Sequence, residues 1–169
     1  MVKRLFSICH YWFGALLFKS GVSGWHPWLH EKTMRQLQRA ADQGLPNALA
    51  LFGALLRYRG ATDFNKISGI RYLIESAQKG HADSQFFVAE AMSSSFWLPQ
   101  YMNELHEEQQ SPVFWYIKAA QQEHPMAALR LAKVYHQGLH GTQIDDEKAE
   151  YWRAKFMEKS GLETRHGLR

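Results

Sequence analysis

Ala40-Ala41-Asp42-Gln43-Gly44-Leu45-Pro46-Asn47-Ala48 reads like two later stretches, Ser76-Ala77-Gln78-Lys79-Gly80-His81-Ala82-Asp83-Ser84 and Ala119-Ala120-Gln121-Gln122-Glu123-His124-Pro125-Met126-Ala127. Each opens on small residues, passes two polar ones, reaches Gly44, Gly80 or Glu123, and meets another small residue four positions on. Corresponding positions lie 36 residues apart from Gly44 to Gly80, 43 from Gly80 to Glu123 and 37 from Glu123 to Ser160, which Gly161 follows. A recurring period near 36 marks a stack of supersecondary units, with an insertion of about seven residues in the middle one.

Outward from these turns the pattern is helical. Small Ala48, Ser84 and Ala127 let two helices approach. Phe52, Val88 and Leu131 follow one turn later, beside small Gly53, Ala89 and Ala132, and Leu56, Met92 and Tyr135 extend the stripe by another turn. Gly60 and Gly138 are placed to end these helices, since glycine tolerates a left-handed C-cap. The second helix of each pair has its own marks. Asp145-Asp146-Glu147 sets acidic groups at a positive helix end, followed by Lys148, Ala149 and Trp152. Trp115 and Tyr72 hold the place of Trp152, a repeat position expected to be buried, in the other units, and Pro112 sits where a helix start tolerates proline.

Tandem pairs of this kind, with a D-x2-K-A-x2-W second helix and a small-small-x2-G turn, resemble Sel1-like repeats, relatives of tetratricopeptide repeats. Gln143 to Trp152 matches most closely, and the likeness runs from about Lys32 to Gly161. Glu123 departs from the turn glycine, Gly69 and Pro112 from the usual alanine, Ser94-Ser95 from the closing loop, and the insertion from Phe96 to Gln110 has no counterpart. A cysteine-rich branch of the family is linked to penicillin binding; this chain lacks those cysteines, and the activity is not carried over.

The fold class expected is all-α: a short right-handed superhelix, or solenoid, of antiparallel helix pairs with a concave side. Helices are predicted near 30–43, 46–58, 66–79, 82–93, 111–122, 125–137 and 145–160, preceded by an N-terminal one. Residues 26–161 form the repeat array and 162–169 a frayed polar tail. In the insertion, Phe96, Trp97, Leu98, Pro99, Tyr101 and Met102 make either a packing plug or a contact loop.

Residues 1–25 read in three ways. Met1-Val-Lys-Arg precedes an apolar stretch from Leu5 to Phe18, too short to span a bilayer. It fits a helix packed on the first repeat, a secretory signal with Val22-Ser23-Gly24 before a cleavage point, or a membrane-surface anchor using Trp12, Trp25 and Trp28. The lone Cys9 excludes a disulfide framework and fits a reducing, cytoplasmic compartment; a cleaved leader would mean export. Cys9 itself reads as buried in the apolar run, or removed with it.

The formal charge of +4 comes from dispersed Lys and Arg, without the clustered stripe that nucleic-acid binding needs. His136 and His140 straddle Gly138, and Pro27 lies between His26 and His30, so both pairs read as turn residues rather than metal ligands. Glu107-Glu108 and Asp145-Asp146-Glu147 are adjacent carboxylates near helix starts, not a pair facing across a pocket. No nucleophile elbow or phosphate loop is present, so neither enzymatic activity nor a cofactor or metal is expected.

Opposite the apolar stripe, the first helices carry Asn47, Leu51, Ala54 and Tyr58, then Asp83, Phe87 and Glu90, then Met126, Arg130, Lys133 and Gln137. The family resemblance implies that these line the concave groove. Its character would pass from apolar, through acidic with an aromatic, to basic, suited to a protein or peptide of mixed charge with Phe87 as an anchor. The expected function is that of a protein-protein interaction adaptor. The alternatives are a hydrolase or binder acting on cell-wall or lactam compounds and a membrane-surface tether.

Overall fold

A computed structural model describes residues 2–19, 27–94, 101, 103 and 105–160. Its described elements are helical: α1 Val2–Lys19, α2 Pro27–Asp42, α3 Pro46–Arg59, α4 Asp63–Gln78, α5 Ala82–Ser93, α6 Pro112–Gln121, α7 Pro125–Gln137 and α8 Asp146–Ser160, with short 3-10 turns at Glu107–Gln110 and Leu139–Gly141. The all-α fold of paired helices is as the periodicity requires. The seven repeat helices match the expected ranges to within about three residues at each end, inside ordinary boundary scatter.

The repeated small-small-x-x-Gly stretches are helix-ending motifs that recur with the same hydrogen bonds. Gly44 N–H donates to the Ala41 carbonyl at 2.7 Å and Leu45 N–H to Ala40 at 3.4 Å. Gly80 and His81 do the same to Ala77 and Ser76, at 3.0 and 3.1 Å, and Glu123 and His124 to Ala120 and Ala119, at 2.9 and 3.2 Å. This is the Schellman arrangement, and its pivot must be left-handed. Gly44 and Gly80 take φ of 76° and 94°, and Glu123 takes 63° although it is not glycine. The carbonyls come from Ala40, Ala41, Ser76, Ala77 and Ala119, which are buried, and from the half-buried Ala120.

The chain divides into two compact units, residues 1–81 and 82–169. In the first, α1 packs on α2, α2 on α3 and α3 on α4. Leu37, Ala40, Ala41, Ala48, Leu49, Phe52 and Leu55 make the core, with Tyr11 and Phe18 of α1 and Tyr72 of α4 against it. Tyr72 meets Phe52 edge-on at 5.0 Å and donates its hydroxyl to Asp42 at 3.0 Å. Glycine sets the spacing of α3 and α4: a Cβ on Gly69 would stand 2.6 Å from Arg57 N and 2.7 Å from the Gly53 carbonyl oxygen. That explains why Gly69 stands where alanine was expected.

In the second unit α6 packs on α5 and α7, and α7 on α8. Val88, Ala89, Trp115, Tyr116, Ala119, Leu131, Ala132 and Ala149 are buried, and Trp115 Nε1–H donates to the Gln109 carbonyl at 2.7 Å. Of the insertion, Tyr101 and Leu105 are buried; Phe96, Trp97, Leu98, Pro99 and Met102 lie outside the described residues, as do the tail 162–169 and His26.

Three local expectations need correction. Gly60 does end α3, but in an extended conformation (φ −63°, ψ 130°). Its lack of a side chain matters because a Cβ there would collide with the Leu56 carbonyl; of Gly60 and Gly138, Gly138 at φ 65° is the left-handed cap. Cys9 is exposed, because α1 turns Tyr11, Gly14, Ala15 and Phe18 inward and leaves position 9 on the other side. Trp152 is half-buried where its counterpart Trp115 is buried, because α8 is the last of the described helices and packs chiefly on α7.

Candidate partner-binding surface

The first helices of the pairs each bury one stripe and leave another outside the packing. On α7 the inward residues are Ala127, Ala128, Leu131, Ala132 and Val134, so the outward stripe Met126, Arg130, Lys133 and Gln137 follows from helical spacing. Met126, Lys133 and Gln137 are exposed and Arg130 half-buried. On α5, Ser84, Gln85, Val88 and Ala89 point inward, leaving Asp83 exposed and Phe87 and Glu90 half-buried. On α3, in the first unit, Asn47 and Tyr58 are exposed, and Ala54 and Leu51 half-buried, with Leu51 resting on the core.

In the second unit the α5 and α7 stripes meet. Glu90 receives a two-pronged contact from Arg130, Nε to Oε1 at 2.7 Å and Nη2 to Oε2 at 3.1 Å. The buried Tyr116 hydroxyl donates to the same Oε1 at 2.7 Å. Burial alone would raise the Glu90 pKa, but hydrogen bonds from Arg130 and Tyr116 outweigh it and hold the carboxyl below its ordinary value. Burial, reinforced by the Glu90 carboxylate, pushes the Tyr116 phenol up, so it stays a proton donor. Around this pair lies a cavity of about 270 Å³ lined by Glu90, Ser93, Ser94, Tyr116, Arg130, Lys133, Val134, Leu139 and His140. Lys133 has no ion-pair partner among the described residues.

The cavity contains a serine beside a histidine, Ser93 Oγ lying 3.3 Å from His140 Nε2, 3.2 Å from Tyr116 Oη and 2.8 Å from the Ala89 carbonyl. Tyr116 spends its single proton on Glu90, so Ser93 can donate to either the tyrosine oxygen or the carbonyl. The tautomer of His140 sets which of the two groups donates across the 3.3 Å contact with Ser93. Among the described residues no carboxylate is hydrogen-bonded to the other ring nitrogen, and the Ser93, Tyr116 and His140 groups form a hydrogen-bonded rim of the cavity.

Among solved structures the chain is similar to the crystal structure of a Sel1 repeat protein from Oxalobacter formigenes, at 24% identity and TM-score 0.62 over 76% of this chain and 49% of that one. The fold is that of a Sel1 repeat protein. A protective antigen present in uropathogenic Escherichia coli strains and displaying an SLR fold is also similar, with 20% identity and TM-score 0.39, covering 75% of this chain and 33% of that one. The chain therefore spans about half and about a third of the lengths of these two proteins. No family model and no curated protein matches the sequence.

Within this Sel1-repeat fold the residues expected to line a groove fall into two sets, described separately. Asn47, Leu51 and Tyr58 share one stripe of α3, with the Arg57 guanidinium 5.9 Å from the Tyr58 ring centre. Glu90, Arg130 and Lys133 share the cavity, while Asp83 faces His124 Nε2 at 3.5 Å. The acidic and basic stretches read along the sequence thus neutralise each other in part, since Glu90 is paired with Arg130. Tyr116, Ser93 and His140 were missed as members of this site. One signal was available: with a repeat offset of 43, Glu90 corresponds to Lys133, and Arg130 lies three residues before it, one helical turn away.

Proposed function

We propose that this chain is a non-enzymatic adaptor that holds a partner protein or peptide on the outward stripes of its first helices. Stacked helix pairs build extended surfaces suited to that task. The observation that carries the reading is the α5–α7 cavity, where Lys133 stands unpaired beside a fixed Glu90–Arg130 pair and the Ser93, Ser94 and Tyr116 hydroxyls. Such a rim presents positive charge and hydrogen-bonding groups to an acidic side chain, while Phe87 on α5 and Met126 on α7 supply apolar area nearby on their helices. Asn47, Leu51 and Tyr58 on α3, with Asp83 and Gln137, are the further contacts proposed.

Lys133→Glu tests this without disturbing packing, because the side chain is exposed. Capture of the native partner by the tagged chain should fall at least about tenfold in affinity, chiefly through removal of a favourable charge and insertion of a repulsive one. Undiminished capture by Lys133→Glu and by Arg130→Glu/Lys133→Glu would exclude this cavity.

A further inference from the structure

Helix α1 has two apolar faces, and only one of them is used by the fold. Tyr11, Gly14, Ala15 and Phe18 face the first unit; a Cβ on Gly14 would already lie 2.9 Å from Leu37. On the other side Ile8, Trp12 and Leu16 lie at successive turns, with Phe13 beside them. Trp12 and Leu16 are each 65% exposed. Trp28 of α2, 61% exposed, continues this surface, because Lys32 Nζ sits 6.0 Å from both the Phe13 and the Trp28 ring centres. Contiguous exposure of this kind marks a contact surface, whereas scattered apolar side chains do not.

Charge identifies what would cover it. Residues 1–42 hold six of the chain's 20 Lys and Arg and two of its 16 Asp and Glu, so they carry net +4, the chain's whole formal charge. The remaining 127 residues balance, 14 against 14. Helix α1 contains no acidic residue, and exposed Lys19 and Lys32 stand at the end and side of the apolar stripe. Tryptophans flanked by lysines suit the boundary between headgroups and acyl chains, where the rings enter and the ammonium groups stay with the phosphates. None of the described helices is long and apolar enough to cross a membrane, which leaves a helix lying along the surface.

We infer that the outward face of α1, together with Trp28, docks the first unit on an anionic lipid bilayer. Ile8, Trp12, Phe13 and Leu16 insert, and Lys19 and Lys32 contact the headgroups. This surface uses residues of the first unit and the proposed partner-binding cavity uses residues of the second, so each reading can fail without the other.

The test is flotation of the full chain with vesicles of phosphatidylglycerol and phosphatidylcholine, against phosphatidylcholine alone. Binding to the anionic vesicles should be at least about tenfold stronger and should weaken with salt. Trp12→Asp/Leu16→Asp should lower it by at least about tenfold, as should Lys19→Glu/Lys32→Glu, with helicity unchanged because these side chains are exposed. Lys133→Glu should leave it unaltered. Equal flotation of the wild type and the aspartate variant, or no binding to anionic vesicles at low salt, overturns the inference. So does a wild-type dimer that the aspartates dissolve without any vesicle binding, which would give the face to a second copy of the chain.

Discussion

Gly69→Ala separates two opposing expectations about the α3–α4 pair. Alanine is the usual residue at this repeat position, and in a helix interior it gains about 1 kcal/mol over glycine. On propensity alone the change stabilises. The packing gives the opposite sign. The new Cβ would lie 2.6 Å from Arg57 N, 2.7 Å from the Gly53 carbonyl oxygen and 3.0 Å from Arg57 Cα. All three are backbone atoms, which cannot rotate aside as a side chain would, so the two helices must separate. Overpacking of this kind costs roughly 1–3 kcal/mol, and contact with main-chain atoms of two residues of α3 puts the cost in the upper part of that range. The net expectation is about 1–2 kcal/mol of destabilisation, or a fall of roughly 2–8 °C in the melting temperature. Thermal melts followed by far-ultraviolet circular dichroism measure it. A melting temperature equal to or above that of the wild type would refute the close approach of α3 and α4 and the explanation given for Gly69.

The other predictions concern the second unit. Trp115→Ala removes a fully buried indole and should cost about 3–5 kcal/mol, whereas Trp152→Ala, at the same repeat position but half-buried, should cost distinctly less; equal shifts in denaturant midpoint would contradict the difference in burial. Glu123→Gly relieves a left-handed backbone and Glu123→Ala does not, while both lose the 2.8 Å contact with Lys159, so the glycine variant should melt higher than the alanine variant. Because the Glu90 carboxyl is held below its ordinary value in the folded protein, its contribution is full above the unfolded pKa and disappears as pH falls through the folded one. Glu90→Gln should therefore be less stable than the wild type at about pH 7 and indistinguishable from it near about pH 2 in urea titrations.

The sequence reading and the structure agree where local chemistry controls the outcome. The Ala40–Ala48, Ser76–Ser84 and Ala119–Ala127 stretches each encode a left-handed pivot between two helices, and that one device sets the repeat, the helix ends and the inward stripes. It was strong enough to impose φ of 63° on Glu123. Cys9 and Trp152 were misplaced because their burial depends on which neighbours cover a helix, and periodicity cannot report that: α1 is apolar on both sides, and α8 is the last of the described helices. The site was legible as single residues and illegible as an arrangement. Arg130 and Lys133 were expected on one face, but the capture of Arg130 by Glu90, 40 residues away, needs the packing of α5 against its neighbours. His140 reaches Ser93 across 47 residues from a turn with φ of 56°, a conformation its sequence does not announce.

Site-specific photo-crosslinking tests the adaptor reading most directly. A benzophenone amino acid replaces Lys133 in the cavity or Lys155, which is exposed on α8. The tagged variants are irradiated in cells, and the adducts are resolved by mass. A discrete protein adduct at position 133, absent at 155 and lost when Arg130→Glu is added, is the expected result. Adducts of equal yield at both positions, or one at 155 with none at 133, would contradict the claim that this cavity holds the partner.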